Sequence, residues 1–175
     1  HRIDIVVVDK TGTITRGEPS LTDLIAFPGR TEDEVLRLAA SAERSSEHPL
    51  GEAIVGAAIE RGLLLADAER FSAVPGHGIE ATVDGHHVVL GTLKLMAERG
   101  VAAGAAEAQL EQLSSQGKTA MIVAVDGALA GVVAVADTLK PDSVEAIARL
   151  HRLGLEVVML TGDNQRTAGA IAALV

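Results

Sequence analysis

Apolar positions in this chain follow one pattern at its two ends and another in the middle. Ile3 to Val8 is apolar except for Asp4, and residues 155–160 read Leu-Glu-Val-Val-Met-Leu. Short apolar runs of this kind suit buried strands. Between Pro141 and Gly154 the period becomes helical. Val144, Ile147, Ala148 and His151 share a face, Pro141 suits a first turn and Gly154 suits the stop. Strand, helix, strand, loop, then a further helix from about Gln165 is the doubly wound α/β pattern. The first strand has no helix beside it, which points to a segment inserted after it.

The insert reads differently, from about Pro19 to Gly131. Thr31 opens a helix, Glu34 completes a capping box, and Val35, Leu38, Ala39 and Ala42 form the apolar face. A second helix starts near Pro49 and ends at Gly62. Strands follow at Phe71–Val74, Ile79–Val83 and Val88–Leu90, with Asp84-Gly85 turning the last pair. Helical stretches near Leu93–Arg99 and Ala105–Ser115 lead to strands Thr119–Val125 and Ala128–Val135, joined at Asp126-Gly127. Strands linked by tight turns imply an antiparallel sheet, so the insert is α+β.

Composition narrows the classes of function. At 175 residues with 47% hydrophobic side chains, the chain can bury a core. Two Phe, no Tyr and no Trp leave that core to Ala, Val, Leu and Ile. A net charge of −9 without a basic block argues against nucleic acid and anionic membrane surfaces as partners. With no Cys, neither a disulfide framework nor a thiolate metal site is expected. No apolar stretch reaches the roughly 18 residues of a membrane span. The longest candidate, Met121–Ala136, is broken by Asp126-Gly127. No secretory signal opens the chain.

The chemistry concentrates where the first strand ends, in Asp9-Lys10-Thr11-Gly12-Thr13-Ile14-Thr15. Ligands of open parallel sheets bind outside the carboxyl ends of the strands. Asp9 is placed there to attack a phosphoryl group, Lys10 to offset charge on the transferring group, and Gly12 to turn the backbone tightly. Thr11 cannot serve as general acid or base near neutral pH, so a phosphoenzyme formed here would persist. The bland alternative is an ordinary polar turn with Asp9 capping a helix.

Asp9 to Thr15 resembles the phosphorylation signature of the P-type ATPases, cation pumps of the haloacid dehalogenase superfamily. Ser46-Glu47-His48-Pro49-Leu50, Gly76-His77-Gly78 and Thr161-Gly162-Asp163-Asn164 extend the resemblance over nearly the whole chain. The Ser-Glu-His-Pro-Leu string is similar to that of the heavy-metal branch, most of all the copper pumps. The resemblance implies an α/β haloacid-dehalogenase-like phosphorylation domain, doubly wound and truncated, with an inserted α+β antiparallel-sheet nucleotide-binding domain. Residues 1–18 and 132–175 would be the two segments of the first, and 19–131 the second. Connections near Arg16–Pro19 and Gly131–Val135 would be the hinges.

The resemblance also implies site residues. Asp9, Lys10, Thr11, Thr161, Gly162 and Asp163 would form the phosphoryl site, with Asp9 and Thr11 giving part of a magnesium site. Glu43, His48, Gly76, Gly78 and Thr92 would bind ATP. Read without the resemblance, several of these stay open. His48 precedes Pro49 and can stack on a base, yet a His before a helix often caps it. Glu43 is equally a solvated helix carboxylate, and Gly76-His77-Gly78 is equally a turn. Thr92, where the pumps carry Asn, either hydrogen-bonds the ligand or caps the next helix.

Other motifs are weaker. His86-His87 flanks a turn, and neighbours on a strand point to opposite faces, which makes a poor chelate. Gln116-Gly117-Lys118-Thr119 lacks the upstream glycine of a phosphate loop and reads as a turn into a strand. Asp137, Thr138 and Lys140 either face the Asp9 cleft or lie in a solvated loop.

The expected function is therefore the ATP-binding and phosphorylation region of a heavy-metal P-type ATPase. ATP and Mg2+ are the expected cofactors, and the γ-phosphate passes to Asp9 to drive metal export, of Cu+ by the copper resemblance. Transmembrane and actuator domains of the same polypeptide are the expected partners, and the transported ion binds elsewhere. The chain begins without Met and stops at Val175 within a predicted helix, which reads as a cytosolic piece of a membrane protein. The family's later Lys and its Gly-Asp-Gly-x-x-Asp magnesium motif would follow Val175, so this piece is expected to bind ATP with little turnover. The rival readings are a free-standing phosphatase of the same superfamily and a nucleotide-binding module without chemistry.

Overall fold

The computed structural model describes residues 3–162 and 165–175, without the side chain of residue 166. Strand β1 (Ile5–Asp9) leads through a tight loop, Lys10–Ile14, into β2 (Thr15–Ala26). Helices α1 (Glu32–Glu43) and α2 (Pro49–Glu60) follow, then strands β3 (Glu69–Val74), β4 (Gly78–Val83) and β5 (His86–Gly91). Next come α3 (Leu93–Glu98), a 3-10 turn at Gly104–Ala106 and α4 (Glu107–Ser115). Strands β6 (Thr119–Val125) and β7 (Ala128–Leu139), helix α5 (Ser143–Arg152), strand β8 (Glu156–Leu160) and helix α6 (Gln165–Ala172) complete the chain.

The strands form two sheets. β1 and β8 pair in parallel, and the other six pair antiparallel in the order β2-β7-β6-β5-β4-β3. Both expected hairpin turns are present, with Asp84 and Gly85 at φ 50° and 82° and Asp126 and Gly127 at 51° and 79°. Left-handed pairs of this kind match the right-handed twist of the flanking strands.

Local signals account for the two long helices. Thr31 Oγ1 accepts from the Glu34 N–H while the Glu34 carboxylate accepts from the Thr31 N–H, which closes the predicted capping box. Pro49 occupies the first turn of α2, where its missing N–H costs nothing. The predicted apolar face of α1 is fully buried, and so are Leu36, Ala40 and Ser41. α1 is wedged between the sheet and α2, so more than one face is covered. Together these helices pack on one side of the six-stranded sheet against Val83, Val88, Leu90, Val123 and Val133. α3, the 3-10 turn and α4 cover the other side against Val89, Ile122, Ala124 and Val132. As the composition required, aliphatic residues build these layers.

Around the two-stranded sheet the core is small. Ile14, Ile147 and Ile171 are buried with Val8, Val157 and Met159 packed against them. The other face of this sheet carries Ile5, Val7, Val158 and Leu160, all exposed. In α5 the buried positions are Ser143 and Ile147, while Val144 is 46% exposed. The helix is therefore turned from the predicted face.

The largest departure from expectation is β2. This 12-residue strand runs through Arg16–Pro19, and Gly131–Val135 lies inside β7, in the buried middle of the sheet. Neither segment is a free loop. Thr15↔Leu139 and Pro19↔Asp137 are both register pairs, so a paired ribbon joins the two sheets.

Candidate functional site

Asp9 ends β1 directly opposite Leu160, which ends β8. Thr161-Gly162 and the Lys10–Ile14 loop therefore leave the parallel pair at the same edge. Asp9 is exposed and Lys10 is buried. Asp163 lies outside the described residues. Gly12 takes φ 75°, and the Thr15 N–H closes the loop onto the Lys10 carbonyl. β2 then passes so near that a Cβ on Gly17 would stand 3.2 Å from the Gly12 Cα. An exposed carboxylate at the open end of parallel strands is accessible to an electrophile.

The return from β7 into α5 braces this loop. Asp137 accepts from the Gly17 N–H at 2.9 Å and lies 2.5 Å from Thr15 Oγ1. Lys140 Nζ donates to the Gly12 carbonyl, and the Lys140 N–H donates to the Ile14 carbonyl at 3.0 Å. Ser143 Oγ donates to the same carbonyl at 2.6 Å. Asp137 and Lys140, left between a cleft and a solvated loop by the sequence, hold the backbone on which Asp9 is mounted.

The second group of sequence candidates converges on one cavity of about 380 Å³ at the end of the six-stranded sheet. Glu43, His48, Gly76, Gly78 and Thr92 all line it, with Ser46, Gly91 and Met121 among the others. His48 does two things at once. Its Nδ1 accepts from the Leu50 N–H at 3.2 Å and caps α2. In the neutral ring that leaves the proton on Nε2, which is then a donor. Thr92 likewise caps α3 by accepting from the Leu95 N–H at 3.3 Å while lining the cavity.

Glu43 is not a solvated carboxylate. It is 5% exposed, and its Oε2 has no hydrogen-bond partner. Burial pushes its carboxyl above the usual carboxylate range, against the smaller downward pull of the Ser46 hydroxyl and the His48 ring. Room for it is made by Gly51, where a Cβ would stand 2.5 Å from Glu43 Oε2.

The glycines have separate causes. Gly76 makes a turn at φ 73°, with nothing within 4 Å of a Cβ. Gly78 sits at φ 146° opposite Gly91, and a Cβ on it would meet the Leu90 carbonyl at 2.0 Å. Sequence reasoning passed over Gly51. A glycine inside a helix is costly and signals a packing reason, which was the available cue for Gly51.

A wider cleft of about 940 Å³ adjoins this cavity and shares Thr92, Thr119 and Ala120 with it. Its far wall is Gln165 and Thr167 of α6, the helix after Thr161-Gly162. His86 and His87 stand at the β4–β5 hairpin, with His86 Nδ1 2.6 Å from Asp126 and His87 Nε2 3.3 Å from Glu80. The ring of His86 holds the Asp126 carboxyl below its usual range.

A carboxylate at the open end of a parallel strand pair, with a large insert after it, defines a class. The chain belongs to the haloacid dehalogenase-like hydrolase family, whose profile matches residues 3–175. Within that class it is similar to copper-exporting P-type ATPases. One from Bacillus subtilis (strain 168) is 52% identical over 172 residues, 98% of this chain and 21% of that protein. One from Staphylococcus aureus (strain bovine RF122 / ET3-1) is 51% identical over 173 residues, with the same coverage. The chain thus spans 21% of the length of these curated relatives.

Solved structures agree. A zinc-transporting PIB-type ATPase in its E2.Pi state superposes with a TM-score of 0.90 at 39% identity, over 99% of this chain and 28% of that one. The N-domain of HMA6, a copper-transporting P-type ATPase, matches with a TM-score of 0.58 at 33% identity, over 68% of this chain and 99% of that one. The resemblance read from the four sequence motifs holds along the chain. Among the described residues, no helix is long and apolar enough to cross a membrane.

Proposed function

We propose that this chain is the cytosolic ATP-binding and phosphoryl-accepting region of a heavy-metal-transporting P-type ATPase. Residues 19–131 bind the nucleotide, and residues 1–18 and 132–175 carry the acceptor Asp9. The observation that carries this reading is the convergence of Glu43, His48, Gly76, Gly78 and Thr92 on one cavity. The match of the HMA6 N-domain to about two thirds of this chain supports the division.

In the full pump the γ-phosphate of ATP passes to Asp9, and the phosphoenzyme drives metal export. Thr11, with no general base to offer water, suits an intermediate that persists. Thr161, Gly162 and Asp163 hold the phosphate from the β8 side. Lys10 neutralises its charge. The higher identity to copper exporters than to the zinc transporter favours Cu+ as cargo. With no Cys here, the cargo site lies elsewhere in the polypeptide, with its transmembrane and actuator domains.

Magnesium fits the donors at this edge. It takes one or two carboxylates with phosphate oxygens and keeps several waters. The Asp9 carboxylate and Thr11 would hold it. When bound it neutralises developing phosphate charge.

Titrating ATP while following backbone amide NMR shifts should move residues 43–50 and 74–80. His48→Ala should weaken binding by about 1–3 kcal/mol through loss of a partly desolvated polar contact. Shifts confined to residues 9–15 would overturn the assignment of the cavity.

A further inference from the structure

The Gln116–Thr119 turn lies at the seam between the inserted sheet and α6. Gly117 takes φ 76°, and a Cβ there would stand 3.1 Å from the Ala170 Cβ and 3.3 Å from the Thr167 Cα. The next residue, Lys118, lines the 940 Å³ cleft, and among that cleft's described lining residues it carries the charge. Its side chain is 21% exposed, and its Nζ donates to Asp23 Oδ2 at 2.7 Å.

We infer that Lys118 is a phosphate-contacting residue: its ammonium takes an oxygen of the nucleotide's polyphosphate as it crosses from the cavity at His48 toward Asp9. The inference rests on the ATP-binding reading above and adds a residue to it.

Three features support the role. The cleft and the smaller cavity share Thr92, Thr119 and Ala120, so a ligand seated by its base in one extends into the other. The far wall, Gln165 and Thr167, belongs to α6, the helix that follows Thr161-Gly162 in the chain. The ammonium has three donors, and Asp23 engages one while fixing the position of Nζ. Asp23 itself does not line the cleft. A polyanion entering a chain of net charge −9 needs such a local cation.

The test compares ATP, ADP, AMP and adenosine on the wild-type chain and on Lys118→Met, Lys118→Arg and Asp23→Asn, by calorimetry. Lys118→Met should raise the Kd for ATP about 5- to 20-fold, the range of one charged hydrogen bond partly open to solvent. Adenosine should change less than about twofold. Lys118→Arg should keep most of the ATP affinity, and Asp23→Asn, which retains the ammonium, should stay within about threefold of wild type. In the wild-type chain the Lys118 side-chain NMR signal should shift with ATP and stay still with adenosine. That measurement decides the matter even if Lys118→Met melts below the assay temperature.

Equal losses for ATP and adenosine, or an ATP affinity untouched by Lys118→Met, would overturn this inference while the ATP-binding reading stands. Failure of the wild-type chain to bind either ligand would overturn both.

Discussion

Gly76 and Gly78 are two residues apart and answer to different demands. Gly78→Ala places a methyl against the Leu90 carbonyl at φ 146°, which combines overlap with strain. It should cost about 3 kcal/mol in denaturant unfolding. Gly76→Ala meets nothing within 4 Å and should cost about 1 kcal/mol, the left-handed penalty alone. Glu43 makes a second prediction. Because burial raises its carboxyl pKa, the folded chain binds a proton more tightly here than the unfolded chain does. Stability is therefore full below the unfolded value of about 4.3 and falls as pH rises through the folded value. Glu43→Gln should raise Tm at pH 7.5, and the difference should close below about pH 4.3. A variant less stable at pH 7.5 would show that the carboxylate is stabilised by something other than its burial suggests.

Elements with local causes were legible in the sequence, and those with distant causes were not. α1 announced itself through Thr31 and Glu34, three residues apart, and α2 through Pro49. β2 was hidden because Gly17 and Pro19 break any strand pattern. Its place at the edge of the sheet explains the tolerance, since an edge strand can lack an N–H. The cavity at His48 gathers residues from contiguous strings, His48 and the Gly76–Gly78 turn, which is why the sequence could group them. The bracing of the Asp9 loop was not, because Asp137 meets Gly17 and Thr15 from 120 and 122 residues away. Asp137→Ala should speed amide exchange at Gly17 by about tenfold or more, as a hydrogen bond to a charged acceptor is lost. Exchange in β4–β6 should be unchanged. Uniformly faster exchange would mean that Asp137 supports the whole fold.

The two sheets are unequal partners. The six-stranded sheet has a core cluster on each face, whereas the β1–β8 pair is covered on one and shows Ile5, Val7, Val158 and Leu160 on the other. A two-stranded sheet with one packed face has little independent stability. Hydrogen exchange followed by mass spectrometry should find residues 6–8 and 157–159 less protected than 122–124 and 132–134. Equal protection would show one cooperative unit. The joint between the sheets is the ribbon of β2 and β7, in which β2 advances four residues from Thr15 to Pro19 while β7 advances two from Leu139 to Asp137. An engineer would call this a flexure, a continuous strip that bends at a thinned point, as opposed to a pin in a socket. A flexure has a rest angle and a restoring torque. Drawing the two sheets together would wind this spring, and releasing them would unwind it.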